Sequence, residues 1–322
     1  MSQFLKTVRQ TTRRLGLADA TEKSYASWTK RFIIYHGYQS PEEMESAPRQ
    51  AIETYLSHLA NERQLSASSI NQALSALIFL YKEVLKVDLP YLSIPRPPAV
   101  KALQHPLDEE EIAALFSHLE GDIYLVAALL YGAGLRVKEA CSLRVKDLDF
   151  AHYKILVTLA KGGDHRITLL PKQLVPQLET HLRVVKALHN RDLAQGHGYA
   201  WLPPALRRKY PNAEQEWGWQ YVFPSQRLSR HRREPDNTTL YRFHRSPSTI
   251  GKAVKSAAGK AGISKRVTPH ILRHSFAVYL RKRGYSIEQI RKLMGHKSDK
   301  TTQYHYLRSI EPDIEGIKGP LD

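Results

Sequence analysis

The sequence predicts a two-domain, mainly α-helical protein that contains one small β-hairpin. Apolar residues repeat at helical spacing through the first 90 residues, a proline-rich stretch follows, and one alternating hairpin pattern lies among further helical segments. A chain of 322 residues is long enough for each of two domains to bury its own core. The hydrophobic share of 42% and the charged share of 25% are typical of a globular protein.

The first domain, residues 1–90, is predicted to consist of amphipathic helices. Segments 20–35, 52–59 and 68–86 each place their apolar residues on one side. In the last of these, Ile70 and Leu74 share a face and Lys82 lies off it. We expect most aromatic residues of these helices to pack in the domain core.

Residues 91–106 are predicted to form a linker between the domains. Its prolines cannot continue a helix, and they favour a stiff, extended chain. Asp108 then begins a new helix, because an aspartate followed three residues later by Glu111 is the pattern of a reciprocal N-terminal cap. The second domain is therefore expected to cover residues 107–322.

The second domain is predicted to be mostly helical, with one hairpin. Apolar residues alternate in segment 155–159 and again in 167–169, on either side of a Gly-Gly turn. Lys161 is expected at the hairpin tip, where a long cationic side chain can reach outward. A segment at about 190–225, rich in Trp, Tyr and Pro, breaks the helical pattern and is predicted to be an insertion.

The chain is strongly basic, with 48 Lys and Arg residues against 31 Asp and Glu, a formal net charge of +17. Cationic surface gains free energy by releasing counterions from nucleic acid, so the charge favours DNA or RNA as a partner. A ribosomal protein or a merely soluble basic protein is the alternative. The longest apolar run is too short to span a bilayer and no signal peptide is evident, so we expect a cytoplasmic protein with no membrane partner.

Arginine and histidine residues recur in short motifs of the second domain. Arg136 follows a Gly-x-Gly-Leu turn, and His270 and Arg273 lie three residues apart on one face of a predicted helix. Each motif alone has an ordinary explanation, Arg136 as a surface charge and Gly-His296 as a helix C-cap. Glu139 is predicted either to orient Arg136 or to form an ordinary surface pair with it.

A metal site is not predicted. His270 and His274 have the spacing of zinc ligands on a helix, but no glutamate follows His270 and no third ligand is evident. The single cysteine, Cys141, rules out an internal disulfide and a thiolate-rich zinc site. We therefore expect neither a metal nor another cofactor.

Together, the motifs resemble those of the tyrosine recombinases, the family of Xer, Cre and phage-type integrases. The matching motifs are Gly-x-Gly-Leu-Arg136-x-x-Glu139, Lys161-Gly-Gly, His270-x-Leu-Arg273-His-Ser-Phe-Ala277 and Leu293-Met-Gly-His296. The resemblance implies an N-terminal helical, SAM-like core-binding domain followed by a catalytic domain. Segments 201–206, 209–213 and 217–225 further resemble the insertion of integron integrases.

The resemblance implies that a tyrosine attacks DNA and forms a 3′-phosphotyrosyl link, with neither metal nor nucleotide required. Arg136 and Arg273 would hold the non-bridging oxygens of the scissile phosphate. Lys161 would protonate the leaving 5′-oxygen, His270 would act as acid and base toward the nucleophile, and His296 would donate a hydrogen bond to the phosphate.

The position of the nucleophile departs from the family pattern. In the family a tyrosine follows the Gly-His histidine by nine residues, and in this chain His305 stands there, between Tyr304 and Tyr306. Counting back from the tail at 316–321 favours Tyr306, and a deletion after Gln303 favours Tyr304. Because a shift of one residue rotates a helical side chain by about 100°, an inactive DNA-binding relative is an alternative.

The resemblance to integron integrases implies two DNA substrates, a duplex attachment site and folded single-stranded cassette sites. Trp219 is predicted to stack on a base that bulges from such a folded strand. His244 falls where the family has a histidine pair, with Phe243 in place of the first of the two, and His244 and Arg242 are both predicted to contact DNA. The alternative is a Xer- or phage-type integrase that acts on duplex sites, a type that generally lacks the insertion.

Other residues of the insertion are expected to position the DNA or to fill a core. Arg207, Arg208 and Lys209 are predicted to contact phosphates, which carries no sequence information. At least two of the three aromatic residues at 217, 221 and 223 are expected to fill a small core of the insertion itself. Strand exchange at two sites requires four protomers, so the resemblance also implies a tetramer on DNA.

Overall fold

The structure, a computed structural model, describes residues 2–89, 105–158, 165–232, 234 and 237–295. The chain divides into two compact units, Met1–Ala102 and Leu103–Asp322. Most of the predicted linker, residues 91–104, lies outside the described residues. Among the described helices, none combines the length and the apolar character needed to cross a membrane.

The described part of the first unit is α-helical, as its sequence periodicity predicts. Its helices are α1 (Ser2–Arg14), α2 (Asp19–His36), α3 (Pro41–Glu45), α4 (Pro48–Asn61) and α5 (Ala67–Phe79), and α5 continues into π-helical turns at Leu80–Leu85. Phe32, Ile52 and Leu77 are fully buried between these helices. Tyr81 is also buried, and its hydroxyl donates a 3.0 Å hydrogen bond to the carbonyl of Met44, which satisfies the polar end of the ring.

The second unit begins with the helix cap that the sequence predicts. The carboxylate of Asp108 accepts from the backbone N–H of Glu111 at 2.8 Å, and the Glu111 carboxylate accepts from the backbone N–H of Asp108 at 3.0 Å. The helices of this unit are α6 (Glu109–Phe116), α7 (Gly121–Gly132), α8 (Val137–Ser142), α9 (Val175–Ala194), α10 (Pro204–Lys209), α11 (Pro247–Lys260), α12 (Pro269–Lys282) and α13 (Ile287–Met294). The predicted fold class, mainly α with a small sheet, is confirmed.

The core of the second unit forms around α7, whose residues Leu125 to Leu130 are all buried. Helix α12 packs against α7 and is itself buried from Ile271 to Val278. Arg273 lies within that buried stretch, with only 1% of its surface exposed. A buried charge must find compensating partners, so this arginine marks a place where the fold assembles a polar site.

The predicted hairpin is the larger part of a three-stranded antiparallel sheet, in the order β1 (Leu148–Asp149), β2 (Lys154–Thr158) and β3 (His165–Leu169). On β2 the apolar residues Ile155 and Val157 face the core. On β3 the inward residues are Thr168 and Arg166, because they are the register partners of Ile155 and Val157.

The apolar residues of β3 therefore face outward. Ile167 is 56% exposed and Leu169 is 46% exposed. The inward polar pair is satisfied by tertiary hydrogen bonds: Thr168 Oγ1 donates to the carbonyl of Ala133 at 2.8 Å, and Arg166 pairs with Glu139. These bonds satisfy the two polar side chains that the pairing with β2 places on the inner face of β3.

The segment at about 190–225 differs from its prediction in two ways. Helix α9 continues to Ala194, so the irregular segment begins after that residue. Val222 and Phe223 are fully buried in the main core of the second unit, together with residues of α7 and α12, rather than in a core of the insertion. A strand-like bridge between Arg144 and Tyr221 ties this end of the segment to the residues that follow α8.

Candidate active site and nucleic-acid interface

Three arginines from three separate elements surround the carboxylate of Glu139 in α8. Oε1 accepts from Nη1 of Arg136 at 2.8 Å and from Nη1 of Arg166 at 2.9 Å. Oε2 accepts from Nη2 of Arg166 at 2.6 Å, and Nη1 of Arg273 lies 3.6 Å away. The side chain of Glu139 is only 10% exposed, so the alternative of an ordinary surface pair with Arg136 is wrong.

The turn between α7 and α8 explains the glycine that precedes Arg136. Gly134 has φ of +64°, a left-handed conformation that side chains other than glycine rarely adopt. A Cβ at this position would lie 2.4 Å from Cδ1 of Phe276, so the turn also has no room for one. The carbonyl of Gly134 accepts a 2.5 Å hydrogen bond from Nη1 of Arg273. The Gly-x-Gly-Leu-Arg motif therefore carries Arg136 and, through its backbone, also binds Arg273.

Both predicted arginines also reach the end of α13. Nη2 of Arg273 donates to the carbonyl of Met294 at 2.6 Å, and Nη2 of Arg136 lies 3.3 Å from the carbonyl of Gly295. Gly295 ends α13 in a left-handed cap, with φ of +65°, and is the residue before His296 in the sequence. The structure thus brings together Arg136, Arg273 and the start of the Gly-His motif.

The cluster has an excess of positive charge. Burial by itself would raise the pKa of Glu139, but the hydrogen bonds and charge of Arg166, with those of Arg136, lower that pKa to about 2. The carboxylate is therefore ionised at neutral pH and offsets one of three guanidinium charges. Arg136 is the most accessible of the three, with its side chain 43% exposed. Such a cluster can hold an anion with the geometry of a phosphate.

The other predicted catalytic residues are located as follows. His270 is exposed in the first turn of α12, whereas His274, one turn further, is buried. Lys161, His296, Tyr304 and Tyr306 lie outside the described residues. Within the described parts of the chain, no three His, Cys, Asp or Glu side chains are grouped so as to hold a metal ion.

Arg166 is the residue of this cluster that the sequence pattern did not indicate. It lies in a strand whose alternation draws attention to Ile167 and Leu169, which face outward. The available signal was a charged side chain at a position in register with the apolar Val157. Only a partner such as Glu139 makes that position favourable for arginine.

Trp219 lies in a small cationic and aromatic cluster at the surface. The ammonium nitrogen of Lys146 is 2.8 Å from the centroid of the Trp219 ring, and the ring of Tyr210 is 5.6 Å away by its centroid. Burial, with the nearby charge of Arg144, lowers the pKa of Lys146. Trp219 remains partly exposed, and its ring can accept a further planar partner.

The basic residues near Trp219 fall into two groups. Arg208 and Lys209 are exposed at the end of α10, as expected of phosphate contacts. Arg207, in contrast, forms ion pairs with Glu214 at 3.0 Å and with Glu234 at 2.9 Å. Its guanidinium therefore ties α10 to the neighbouring loop, which does not fit the predicted phosphate contact.

Arg242 also departs from its predicted role. It is 8% exposed, and its Nε and Nη2 form a two-pronged ion pair with Asp192, whose side chain is 2% exposed. Its Nη1 donates to the carbonyl of Ser225 at 2.8 Å. A DNA contact by Arg242 does not fit this placement. If Arg242 left the ion pair, the buried carboxylate of Asp192 would lose its charged partner.

The remaining aromatic residues pack in the interior, but not in a core of the insertion as predicted. Phe223 is buried in the main core of the second unit, Trp217 is partly buried against that core, and Tyr221 is buried beside Arg144. His244 is half-buried, with its ring edge-on to Tyr221 at 5.4 Å and its Nδ1 2.8 Å from the carbonyl of Arg245.

Comparison with known protein families matches nearly the whole chain. Residues 105–311 match the model described as the phage integrase family, and residues 4–91 match that of the phage integrase N-terminal SAM-like domain. Two curated relatives, from Escherichia coli and Pseudomonas aeruginosa, are called integrase/recombinase. Each is 40% identical over 321 residues, which cover 99% of this chain and 93% of the relative.

More distant relatives and solved structures agree with this result. A tyrosine recombinase XerA from Pyrococcus furiosus is 32% identical over 244 residues, 74% of this chain and 70% of the relative. A solved lambda integrase dimer bound to a COC′ core site superposes with a TM-score of 0.64 at 18% identity, covering 99% of this chain and 80% of that one. At this identity the superposition shows a shared fold alone.

Proposed function

This chain belongs to the phage integrase family and is a tyrosine site-specific recombinase, and we propose that it is an integron integrase, which integrates and excises gene cassettes. The observation that carries the catalytic part of this proposal is the meeting of Arg136 and Arg273 at Glu139. Their guanidinium groups come from motifs more than 130 residues apart, and both also contact the end of α13.

In the proposed reaction a tyrosine oxygen attacks the scissile phosphorus and the bond from phosphorus to the 5′-oxygen breaks. The tyrosine proton passes to His270, and Lys161 delivers a proton to the leaving 5′-oxygen. Arg136, Arg273 and His296 bind the non-bridging oxygens, where charge develops in the pentacoordinate transition state. The phosphotyrosyl link keeps the bond energy, so rejoining needs neither metal nor nucleotide.

Tyr306 is the proposed nucleophile and Tyr304 is the alternative. Both lie outside the described residues, and His305 stands at the family position between them. The register of the chain tail favours Tyr306. Neither tyrosine has the family spacing from His296, so the nucleophile is assigned by the capture experiment described below.

The proposed cassette substrates are folded single strands, and Trp219 is the proposed contact with an unpaired base. Its support is the partly exposed ring, which lies beside Lys146 and 5.6 Å from the ring of Tyr210. Tyr210 directly follows the basic end of α10. An aromatic face and a neighbouring cation suit a base and its phosphate. We propose four protomers, since strand exchange at two sites requires four protomers. We also propose a cytoplasmic location.

The second candidate is a Xer- or phage-type integrase that acts on duplex sites alone. This candidate is as well supported as the integron integrase, because the relatives include proteins called tyrosine recombinase XerA. The two candidates differ in substrate. A folded single-stranded site that is cleaved at the same rate as, or faster than, a duplex site supports the integron proposal.

The test is covalent capture on nicked suicide substrates, one duplex and one a folded single strand with unpaired bases. A protein–DNA adduct on a denaturing gel is the expected result, with Tyr306→Phe abolishing it and Tyr304→Phe retaining it. The reverse pattern assigns Tyr304. No adduct from the parent protein on either substrate would overturn the proposed activity, and an adduct on the duplex alone would favour the second candidate.

A further inference from the structure

Arg166 connects three segments that the proposed mechanism uses. Its side chain extends inward from β3 of the hairpin, and 7% of it is exposed. Nη1 and Nη2 bind the two oxygens of Glu139 at 2.9 and 2.6 Å, and Nε donates to the carbonyl of Leu293 at 2.9 Å. One guanidinium group thus joins the hairpin, α8 and the last turn of α13.

The end of α13 is fitted closely around this side chain. A Cβ on Gly295 would lie 2.8 Å from Cδ of Arg166 and 3.1 Å from its Nη1. Gly295 also has φ of +65°, so glycine is required both by the backbone and by the arginine. The turn that precedes His296 therefore packs directly on Arg166.

Glu139 is bound both by Arg166 and by the start of its own helix. Arg166 gives the carboxylate a bidentate pair, and Arg136 gives it one hydrogen bond from its guanidinium group and one from its backbone N–H, each at 2.8 Å. The same carboxylate oxygens face Arg136 and Arg273. Removing Arg166 would break the link of Glu139 to β3 and would alter the position of both of these guanidinium groups.

We propose that Arg166 is a positioning residue for strand cleavage, which acts by holding Glu139 and the Leu293 carbonyl so that Arg136 and Arg273 meet the phosphate in the correct geometry. This inference rests on the proposed function of those two arginines. Arg166 itself, buried behind Glu139, touches no reacting atom. Its effect is transmitted through the carboxylate and through the turn at the end of α13.

Lysine is the sharpest replacement. Arg166→Lys keeps the charge but has neither the planar fork nor an Nε donor, so it cannot hold Glu139 and Leu293 together. We expect it to lower the single-turnover rate of adduct formation by about 100-fold, the effect of misplacing binding groups by about 1 Å. The affinity for DNA should change little, because Arg166 faces away from solvent.

A double-mutant cycle with Glu139→Gln tests the route of this effect. If Arg166 acts through Glu139, the double variant should be no slower than the slower single variant. Arg245→Lys is the control, because it disrupts another arginine–carboxylate pair of the same unit, with Asp122. It should lower the melting temperature without the rate loss. The proposal would be overturned if the rate loss of the double variant equalled the product of the two single losses. An equal rate loss in the Arg245→Lys control would also overturn it.

A pH profile separates positioning from simple loss of stability. Glu139 faces the guanidinium groups of Arg136 on its own element, Arg166 on β3 and Arg273 on α12. Weakening the Arg166 contact should raise the pKa of Glu139, so the titration of this carboxylate should move to higher pH in Arg166→Lys. A titration of Glu139 that is unchanged in Arg166→Lys contradicts the inference.

The link between Arg166 and Glu139 can be measured without DNA cleavage. Carbon NMR of the carboxyl groups in glutamate-labelled protein, with Glu139→Gln to assign the signal, follows Glu139 without any DNA. A signal that titrates at higher pH in Arg166→Lys supports the link even if the parent forms no adduct. An identical titration in both proteins overturns the link even if the parent cleaves DNA.

Discussion

Nη1 of Arg273 donates a hydrogen bond of 2.5 Å to the carbonyl of Gly134, which precedes it by 139 residues. The left-handed turn at Gly134 positions this carbonyl, and the absence of a Cβ at Gly134 makes room for the ring of Phe276 from α12. The backbone of one motif therefore forms part of the binding site for the arginine of the other. The stability of this turn and the geometry of the candidate site are coupled.

Gly134→Ala should destabilise the second unit and impair cleavage. The left-handed backbone alone costs about 1–2 kcal/mol for a residue with a Cβ, and the clash with Phe276 adds to this. Gly262→Ala is the matched control, because Gly262 has φ of +68° with nothing within 4 Å of a Cβ. Urea unfolding should show the larger loss for Gly134→Ala. Equal losses for the two variants would mean that the contact with Phe276 is unimportant.

Glu139 should make the stability of the protein depend on pH at the acid end. Its folded pKa of about 2 is below its ordinary value of 4.5, so its stabilising contribution is fully present above about pH 4.5 and is lost as the pH falls toward 2. The contribution is on the order of 3 kcal/mol at neutral pH. The measurement is the unfolding free energy of the parent and of Glu139→Gln between pH 7 and pH 3.

The difference between parent and Glu139→Gln should shrink as the pH falls through that window. Glu288→Gln serves as a control, since Glu288 forms an exposed ion pair with Lys292, of a kind that contributes little to stability. A difference that stays constant from pH 7 to pH 3 would show that the arginine partners do not lower the pKa of Glu139.

Trp219→Ala should weaken binding to folded single strands with unpaired bases. Loss of one stacked base costs about 1–3 kcal/mol, and binding to a duplex site should be unaffected. Trp219→Phe keeps an aromatic face and should retain most of the affinity. Fluorescence anisotropy with both DNA forms provides the measurement. Equal weakening on the duplex and on the folded strand would argue against a base contact.

The exposed basic residues Arg208 and Lys209 should contribute to the salt dependence of DNA binding. Arg208→Gln and Lys209→Gln should each reduce the slope of log affinity against log salt by about 1, the effect of losing one phosphate contact. Both side chains are exposed at the end of α10. An unchanged slope in both variants would place the DNA elsewhere on the protein.

Arg242→Gln should act on stability instead. It leaves the carboxylate of Asp192 buried without its partner, which typically costs about 3–5 kcal/mol. Thermal unfolding of the variant in the absence of DNA measures this loss. A variant as stable as the parent, but with weaker DNA binding, would restore the original prediction that Arg242 contacts DNA.

Much of the fold follows from local pattern. The N-terminal cap of Asp108, the helical faces of the first unit and the hairpin all depend on residues within a few positions of one another, and each was predicted from the sequence. The motif of Arg136 and the pairing of that arginine with Glu139 are also local, since the two residues lie one helical turn apart.

Contacts between distant residues were decided only by the tertiary structure. The pairing of Arg166 with Glu139 spans 27 residues and that of Arg242 with Asp192 spans 50. The sequence pattern indicated no role for Arg166 and predicted a DNA contact for Arg242. Ile167 faces outward, because its neighbours Arg166 and Thr168 lie on the inner face of β3, where both find polar partners.

The sequence by itself therefore determined the helical class, the element order, the hairpin and the arginine and histidine motifs, since dihedral preferences and hydrophobic periodicity act over a few residues. Only the tertiary structure decided which cations are buried in ion pairs and which remain accessible. Burying a charge is favourable only when a partner of opposite charge is held beside it, and that partner is supplied by another part of the fold.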